Sequence, residues 1–160
     1  RKLGAHRKQS MFGFFKSREK LPDTWSTAQG EDEGSPLLIR VREGNPSDKL
    51  KAEYPILVNV YWPFDGLPDS GMPNSEVLDA QSDFEERLDR LDSPEYGYLV
   101  LVITAKNRKE WIWQVADTKV WLDQFNLLLN GHPVVPIEIE TNNDPAWGTY
   151  EQIRDRALGA

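Results

Sequence analysis

The side chains with the clearest capacity for chemistry are the carboxylates of residues 74–91, "NSEVLDAQSDFEERLDRL". Four of them recur every three or four residues, which places them on one side of a helix: Asp79, Asp83, Glu86 and Asp89. Carboxylates grouped in this way could bind a divalent cation, but neither a histidine nor a glycine-containing metal loop accompanies them. We interpret them as a solvated helix face, and no metal or other cofactor is predicted.

Groups suited to nucleophilic or acid–base catalysis are scarce. Beyond the first 20 residues the chain has one histidine, His132, which stands in the turn "NGHPV", a setting in which imidazoles are usually just exposed. The chain has no cysteine, and it contains neither a G-x-S-x-G nor a G-x-x-x-x-G-K-[ST] pattern. Catalysis needs a nucleophile or base and its orienting group within reach of each other. The chain is therefore predicted not to be an enzyme.

The aromatic residues suggest recognition. Trp111 and Trp113 alternate with Ile112, so the two indoles lie on one side of a strand. If that side packs beneath helices, the indoles belong to the core. If it is an open sheet face, they join two tyrosines and two glutamates in an interaction surface. The residues predicted for this protein-interaction surface are Tyr61, Tyr98, Trp111, Trp113, Glu138 and Glu140.

Hydrophobic periodicity predicts the elements that must position these residues. "PILVNVYW" (55–62) alternates as a strand, and residues 74–91 form an amphipathic helix. A hairpin of two strands, a second helix and a further strand follow: "EYGYLVLVITAK" with "EWIWQVA", "TKVWLDQFNLLLN" and "PVVPIEIET". This order is the β-α-β-β-α-β of the ferredoxin-like fold.

Additional elements are predicted at both ends of this unit. "DTWSTAQGEDEGSPLLIRVREG" (23–44) predicts an N-terminal β-hairpin that extends the sheet at one edge. At the other end, Asp144 and Pro145 predict the start of a last helix, with Trp147 and Tyr150 on its packing stripe. The predicted class is α+β, a ferredoxin-like βαββαβ sandwich with an N-terminal β-hairpin and an extra C-terminal helix.

Charge is distributed unevenly along the chain. Residues 1–20 hold seven basic residues and one acidic one, so the rest has 19 − 7 = 12 basic and 26 − 1 = 25 acidic residues, a net charge of −13. A body this acidic repels nucleic acid and favours a basic protein surface as its partner. The absence of cysteine fits a cytoplasmic protein, and no apolar run approaches the roughly 18 residues of a membrane span.

The contrast in charge between the first 20 residues and the rest of the chain predicts the domain organisation. Residues 1–21 are a basic tail, partly disordered and partly an expression tag or upstream sequence preceding Met11. Residues 22–160 form a single ferredoxin-like domain. An alternative for the tail is a nucleic-acid or membrane-binding arm.

The chain resembles the domain of unknown function 695 family. The resemblance covers about residues 22–156 and is carried by Trp25, "YPILVNVYWPFDG", "FEERLDRL", "GYLVLVITAKNRKEWIWQVAD" and "DPAWGTY". It implies a small bacterial domain of ferredoxin-like build with no established activity and no catalytic residues to transfer. Members of the family sometimes occur with domains similar to the regulator of ribonuclease activity B, an acidic, non-enzymatic protein that binds a ribonuclease.

We expect a non-enzymatic, acidic, protein-binding regulator or adaptor. One alternative is an immunity protein that neutralises a bacterial toxin. A second is a small-ligand-binding domain or enzyme with a pocket near residues 61–73, using Asp65, Tyr61 or His132 as polar groups. A third is a homodimer formed through the sheet face, with function carried by the assembly.

Overall fold

A computed structural model of the protein describes residues 19–159, so the predicted basic tail lies outside the described residues except for its last three. The strands are β1 (Trp25–Asp32), β2 (Ser35–Arg42), β3 (Ile56–Pro63), β4 (Gly97–Ala105), β5 (Arg108–Val115) and β6 (Glu138–Asn143). The helices are α1 (Asp48–Glu53), α2 (Ser75–Arg87), α3 (Thr118–Leu129) and α4 (Gly148–Ala157), and a 3-10 turn covers Asp89–Leu91.

The six strands form one sheet in the order β1-β2-β4-β5-β3-β6, and every neighbouring pair is antiparallel. Strand β5 lies between β3 and β4, so the connection through α2 passes over it. The hairpin β1–β2 extends the sheet beside β4, as the sequence predicts. The predicted α+β class is confirmed.

One face of the sheet is covered by α2 and α3. Both helices begin at side-chain caps, where Asn74 and Asp117 accept hydrogen bonds from the backbone N–H groups of Val77 and Val120, each at 2.9 Å. Between helices and sheet lies an aromatic core in edge-to-face and stacked contacts, comprising Trp62, Phe84, Trp111, Trp113, Trp121 and Phe125.

The other face is covered in part by α1 and α4. Its core comprises Leu21, Val41, Leu50, Tyr54, Leu57, Tyr98, Val100, Leu101, Ile112, Trp147 and Tyr150. The ferredoxin-like order predicts two helices on one face of the sheet and leaves the position of the last helix open. In the structure the last helix packs on the opposite face, because the apolar side chains of that face also need to be removed from water.

Helix α4 begins at Gly148, three residues after Pro145. The N-cap position is occupied by Trp147 rather than by Asp144, but Asp144 Oδ1 still accepts a hydrogen bond from the Gly148 N–H at 2.9 Å. The residues between form a turn that ends at Trp147, whose φ of 54° is in the left-handed region. This turn sends the Trp147 ring beneath the helix and into the core.

Candidate functional site

Trp111 and Trp113 lie in the core, the first of the two alternatives that the sequence left open. Strand register sets Trp111 opposite Val60 and Trp113 opposite Val58, and directly opposed residues share a face of the sheet. Their exposed fractions are 1 % and 2 % because α2 and α3 cover this face. The two indoles therefore offer no ring face to a partner in this structure.

Tyr98 lies on the opposite face but is also buried. Its ring centroid is 5.1 Å from that of Tyr54 in an edge-to-face contact, and its exposed fraction is 3 %. The segment that carries Tyr54 and the helix α4 close over this end of the sheet. Tyr98, which was predicted to belong to the interaction surface, therefore contributes to the packing of the core instead.

Tyr61, Glu138 and Glu140 come together where the second face is left uncovered. Tyr61 is opposite Glu138 in the register, and its hydroxyl donates a hydrogen bond to Glu140 Oε2 at 2.9 Å. Burial and the neighbouring Glu140 raise the pKa of Tyr61 to about 12. The phenol therefore remains a neutral donor across the physiological range of pH.

Two residues that were not predicted complete this surface. Glu110 lies opposite Tyr61 on β5, and Arg108 lies 3.6 Å from Glu110 and 4.8 Å from the Tyr61 ring centroid. Glu110 precedes Trp111, so strand alternation assigns it to the face opposite the indoles, but only the register brings it beside Tyr61. We call Tyr61, Glu110, Glu138 and Glu140 the acidic strip.

A separate cavity of about 590 Å³ lies against the loop that follows β3. Asn107 anchors the loop: its carbonyl accepts from the Phe64 N–H, its own N–H donates to Gly71, and its Oδ1 accepts from the Gly66 N–H, at 2.9, 2.9 and 3.1 Å. Asp65 lines this cavity, whereas Tyr61 does not. His132 lines a different depression, at the end of α3.

A third cavity, of about 400 Å³, lies between β1–β2 and α2. Glu85 in its wall pairs with Arg40 and accepts a hydrogen bond of 2.7 Å from the Trp111 indole. Burial would raise the pKa of Glu85, but these two hydrogen bonds outweigh it and the pKa is lowered. Nearby, Arg42 pairs with Asp92 at 2.8 Å. Arg40, Arg42, Glu85 and Asp92 therefore have partners within the chain, which indicates a structural network.

The described part of the chain contains neither a candidate metal cluster nor a helix that could span a membrane. Within residues 19–159, no three His, Asp or Glu side chains are arranged so that they could hold a metal ion. None of the helices of that range has both the length and the apolar character that a bilayer span requires.

Comparison with known proteins identifies the family of the chain. No curated protein matches it at a significant level. The family model described as a family of unknown function (DUF695) matches residues 23–153, which run from the start of β1 into α4. The match includes the acidic strip and all six strands. Because it covers most of the chain, the protein belongs to the DUF695 family.

Proposed function

We propose that this protein is a non-enzymatic binding module, a regulator or adaptor, that recognises a basic surface of another protein through the acidic strip. The observation that carries the proposal is the meeting of Glu110, Glu138 and Glu140 around Tyr61 on the uncovered part of the sheet. Tyrosine is enriched at protein interfaces, and the carboxylates around it are suited to a partner of complementary charge.

The charge of the domain supports a basic partner. Residues 19–159 contain all 26 acidic residues and 19 − 6 = 13 of the basic ones, a net charge of −13. On and beside the strip, three carboxylates face one guanidinium, that of Arg108. A field of this sign speeds the association of a basic protein and makes it sensitive to salt.

The kind of ion pair found at the two cavities supports binding over catalysis. Arg40 pairs with Glu85 and Arg42 with Asp92 in the cavity beside α2. Lys106, at the rim of the loop cavity, pairs with Glu33 at 2.9 Å. None of these three pairs joins a nucleophile to a histidine or another base that could activate it. We further propose a cytoplasmic location in a bacterial cell, which the cysteine-free sequence supports.

Affinity capture from a lysate of the source organism tests this function. The strip variant Glu110→Gln/Glu138→Gln/Glu140→Gln removes three negative charges from the proposed surface. The matched control Asp79→Asn/Asp83→Asn/Glu86→Gln removes three from the outer side of α2, so both variants have the same net charge. We expect a protein that is retained at low salt by the wild type and the control, and lost by the strip variant. Retention by all three proteins would refute the acidic strip as the binding surface.

An immunity protein is the alternative that uses the same surface. Inhibitors of basic toxins rely on the same charge complementarity, so the capture experiment does not separate the two roles. The identity of the captured protein does. A captured protein whose toxicity is abolished by the wild type and restored with the strip variant would favour immunity, and a non-toxic enzyme whose rate changes would favour regulation.

A further inference from the structure

Six residues that lie opposite one another in the strand register form a row across the whole sheet, on its second face. The row changes from apolar to polar halfway. In spatial order the row is Ala28, Ile39, Ile103, Glu110, Tyr61 and Glu138. The first three residues, on β1, β2 and β4, are apolar, and the last three, on β5, β3 and β6, belong to the acidic strip. With neighbouring strands about 4.8 Å apart, the row is roughly 24 Å long.

The apolar half of the row forms a groove beside α4. The groove has a volume of about 380 Å³. Its floor is made by Leu37, Ile39 and Ile103, and Ile153 and Ala157 of α4 form its wall. These side chains are only partly buried, so a partner that covers them gains hydrophobic free energy in proportion to the apolar area it removes from water.

The direction of the row determines the form of a segment that could cover it. A segment that follows the row crosses the strands, so its backbone cannot hydrogen-bond to the sheet as an added strand would. A helix satisfies its own backbone hydrogen bonds and presents side chains alone. At 1.5 Å per residue, a helix that covers roughly 24 Å has about 16 residues, or four turns.

We propose that the partner inserts such a helix, apolar over the two turns that lie on the groove and basic over the two turns that lie on the acidic strip. This inference rests on the proposed function and adds the chemistry of the partner's contact segment. Charge complementarity supports the orientation at both ends. Glu138 and Glu140, which are exposed, attract basic side chains, whereas Arg156, which lines the groove, repels them from the apolar end.

Two synthetic peptides of identical composition test the proposal. Each is a helix of 16 residues with leucine and lysine on its contact face. The block peptide has the leucines in the first two turns and the lysines in the last two, and the mixed peptide alternates them. Fluorescence anisotropy with the wild-type protein is expected to show binding of the block peptide at least about tenfold tighter than binding of the mixed one.

Variants of the protein test where on its surface the block peptide binds. Ile39→Gln/Ile103→Gln is expected to weaken binding of the block peptide about tenfold, and so is the strip variant. The control Leu127→Gln, at a position 65 % exposed on α3, leaves it unchanged. Circular dichroism and thermal melts verify that each variant is folded. Equal affinities for the two peptides, or no binding of either at about 100 µM, would overturn the proposal.

The two proposals fail in different ways. If the strip variant loses the captured protein while Ile39→Gln/Ile103→Gln retains it, the acidic surface functions alone and the helix inference is wrong. If neither variant affects capture, the proposed function itself is wrong. A doubled mass in analytical ultracentrifugation that reverts to the monomer mass in Ile39→Gln/Ile103→Gln would show that a second copy of this chain covers the groove, which would also overturn the helix inference.

Discussion

The indole N–H of Trp147 donates a hydrogen bond of 2.9 Å to the carbonyl oxygen of Tyr54, 93 residues earlier in the chain. The ring is fully buried and meets Tyr150 edge to face at 5.8 Å between centroids. Tyr150 in turn donates to the carbonyl oxygen of Arg42 at 2.5 Å. The motif "DPAWGTY" therefore fastens α4 to the second face of the sheet through two aromatic side chains that are also hydrogen-bonded.

Truncating this anchor is expected to destabilise the fold. Trp147→Ala should lower the free energy of unfolding by about 3–5 kcal/mol, because it leaves a cavity and an unsatisfied carbonyl. Denaturant unfolding measures the loss. Val134→Ala, at a fully exposed position, should change stability by no more than about 0.5 kcal/mol. An unchanged melting temperature together with lost partner binding would instead make Trp147 a binding residue.

The buried ion pair of Arg42 is the second structural anchor to test. Arg42 is 3 % exposed and donates to Asp92 and to the carbonyl oxygens of Pro22 and Leu99 at distances between 2.7 and 3.1 Å. Arg42→Met should cost about 3–5 kcal/mol in urea unfolding, since it leaves the Asp92 carboxylate uncompensated in a partly buried site.

Two comparisons separate charge from packing at this pair. Adding Asp92→Asn to Arg42→Met should recover part of the loss, because the uncompensated charge is then removed. Lys119→Met, which breaks an exposed pair of α3, should leave unfolding unchanged. A loss for Arg42→Met that Asp92→Asn does not reduce would show that the guanidinium stabilises the fold mainly through its backbone carbonyl contacts.

Gly97 is required where β4 and β5 approach each other. Its φ is 150°, and a Cβ atom there would lie 2.7 Å from the Cα of Val115 and closer still to the carbonyl oxygen of Gln114. Gly97→Ala should therefore lower stability by about 2–3 kcal/mol in thermal unfolding. Gly30→Ala, on β1 with open space around it, is the control. Equal stabilities of the two variants would contradict this account of the strand contact.

The titration of Tyr61 is expected to report on the contacts within the acidic strip. Burial and Glu140 raise its pKa from 10.0 to about 12, and the wild-type minus Tyr61→Phe absorbance difference in alkali should show that value. Between these two pH values the unfolded chain loses a proton that the folded one retains, so Tyr61 lowers stability as pH rises. Glu140→Gln should move the pKa toward 10. A Tyr61 that titrates near 10 in the wild type would contradict the geometry of the strip.

Much of the architecture was predictable because the signals that carry it are local. The alternation in "PILVNVYW" and the helical spacing around Phe84 specify strand and helix within a few residues, and Asn74 and Asp117 mark where two helices begin. Only part of the predicted interaction surface forms in the structure. Tyr61, Glu138 and Glu140 do share the open face of the sheet. Alternation within one strand, however, does not determine which of its two sides lies on the same face as a given side of the neighbouring strand.

The sequence by itself determined the α+β class, the order of the six strands and of α2, α3 and α4, the acidic body and the family, since each depends on composition or on spacing along the chain. Only the tertiary structure decided that Trp111 faces α2 while Glu110 lies beside Tyr61, and that α4 crosses to the second face and leaves half of it open. These outcomes depend on strand register and on helix packing between residues far apart in the chain, for which no local pattern is a substitute.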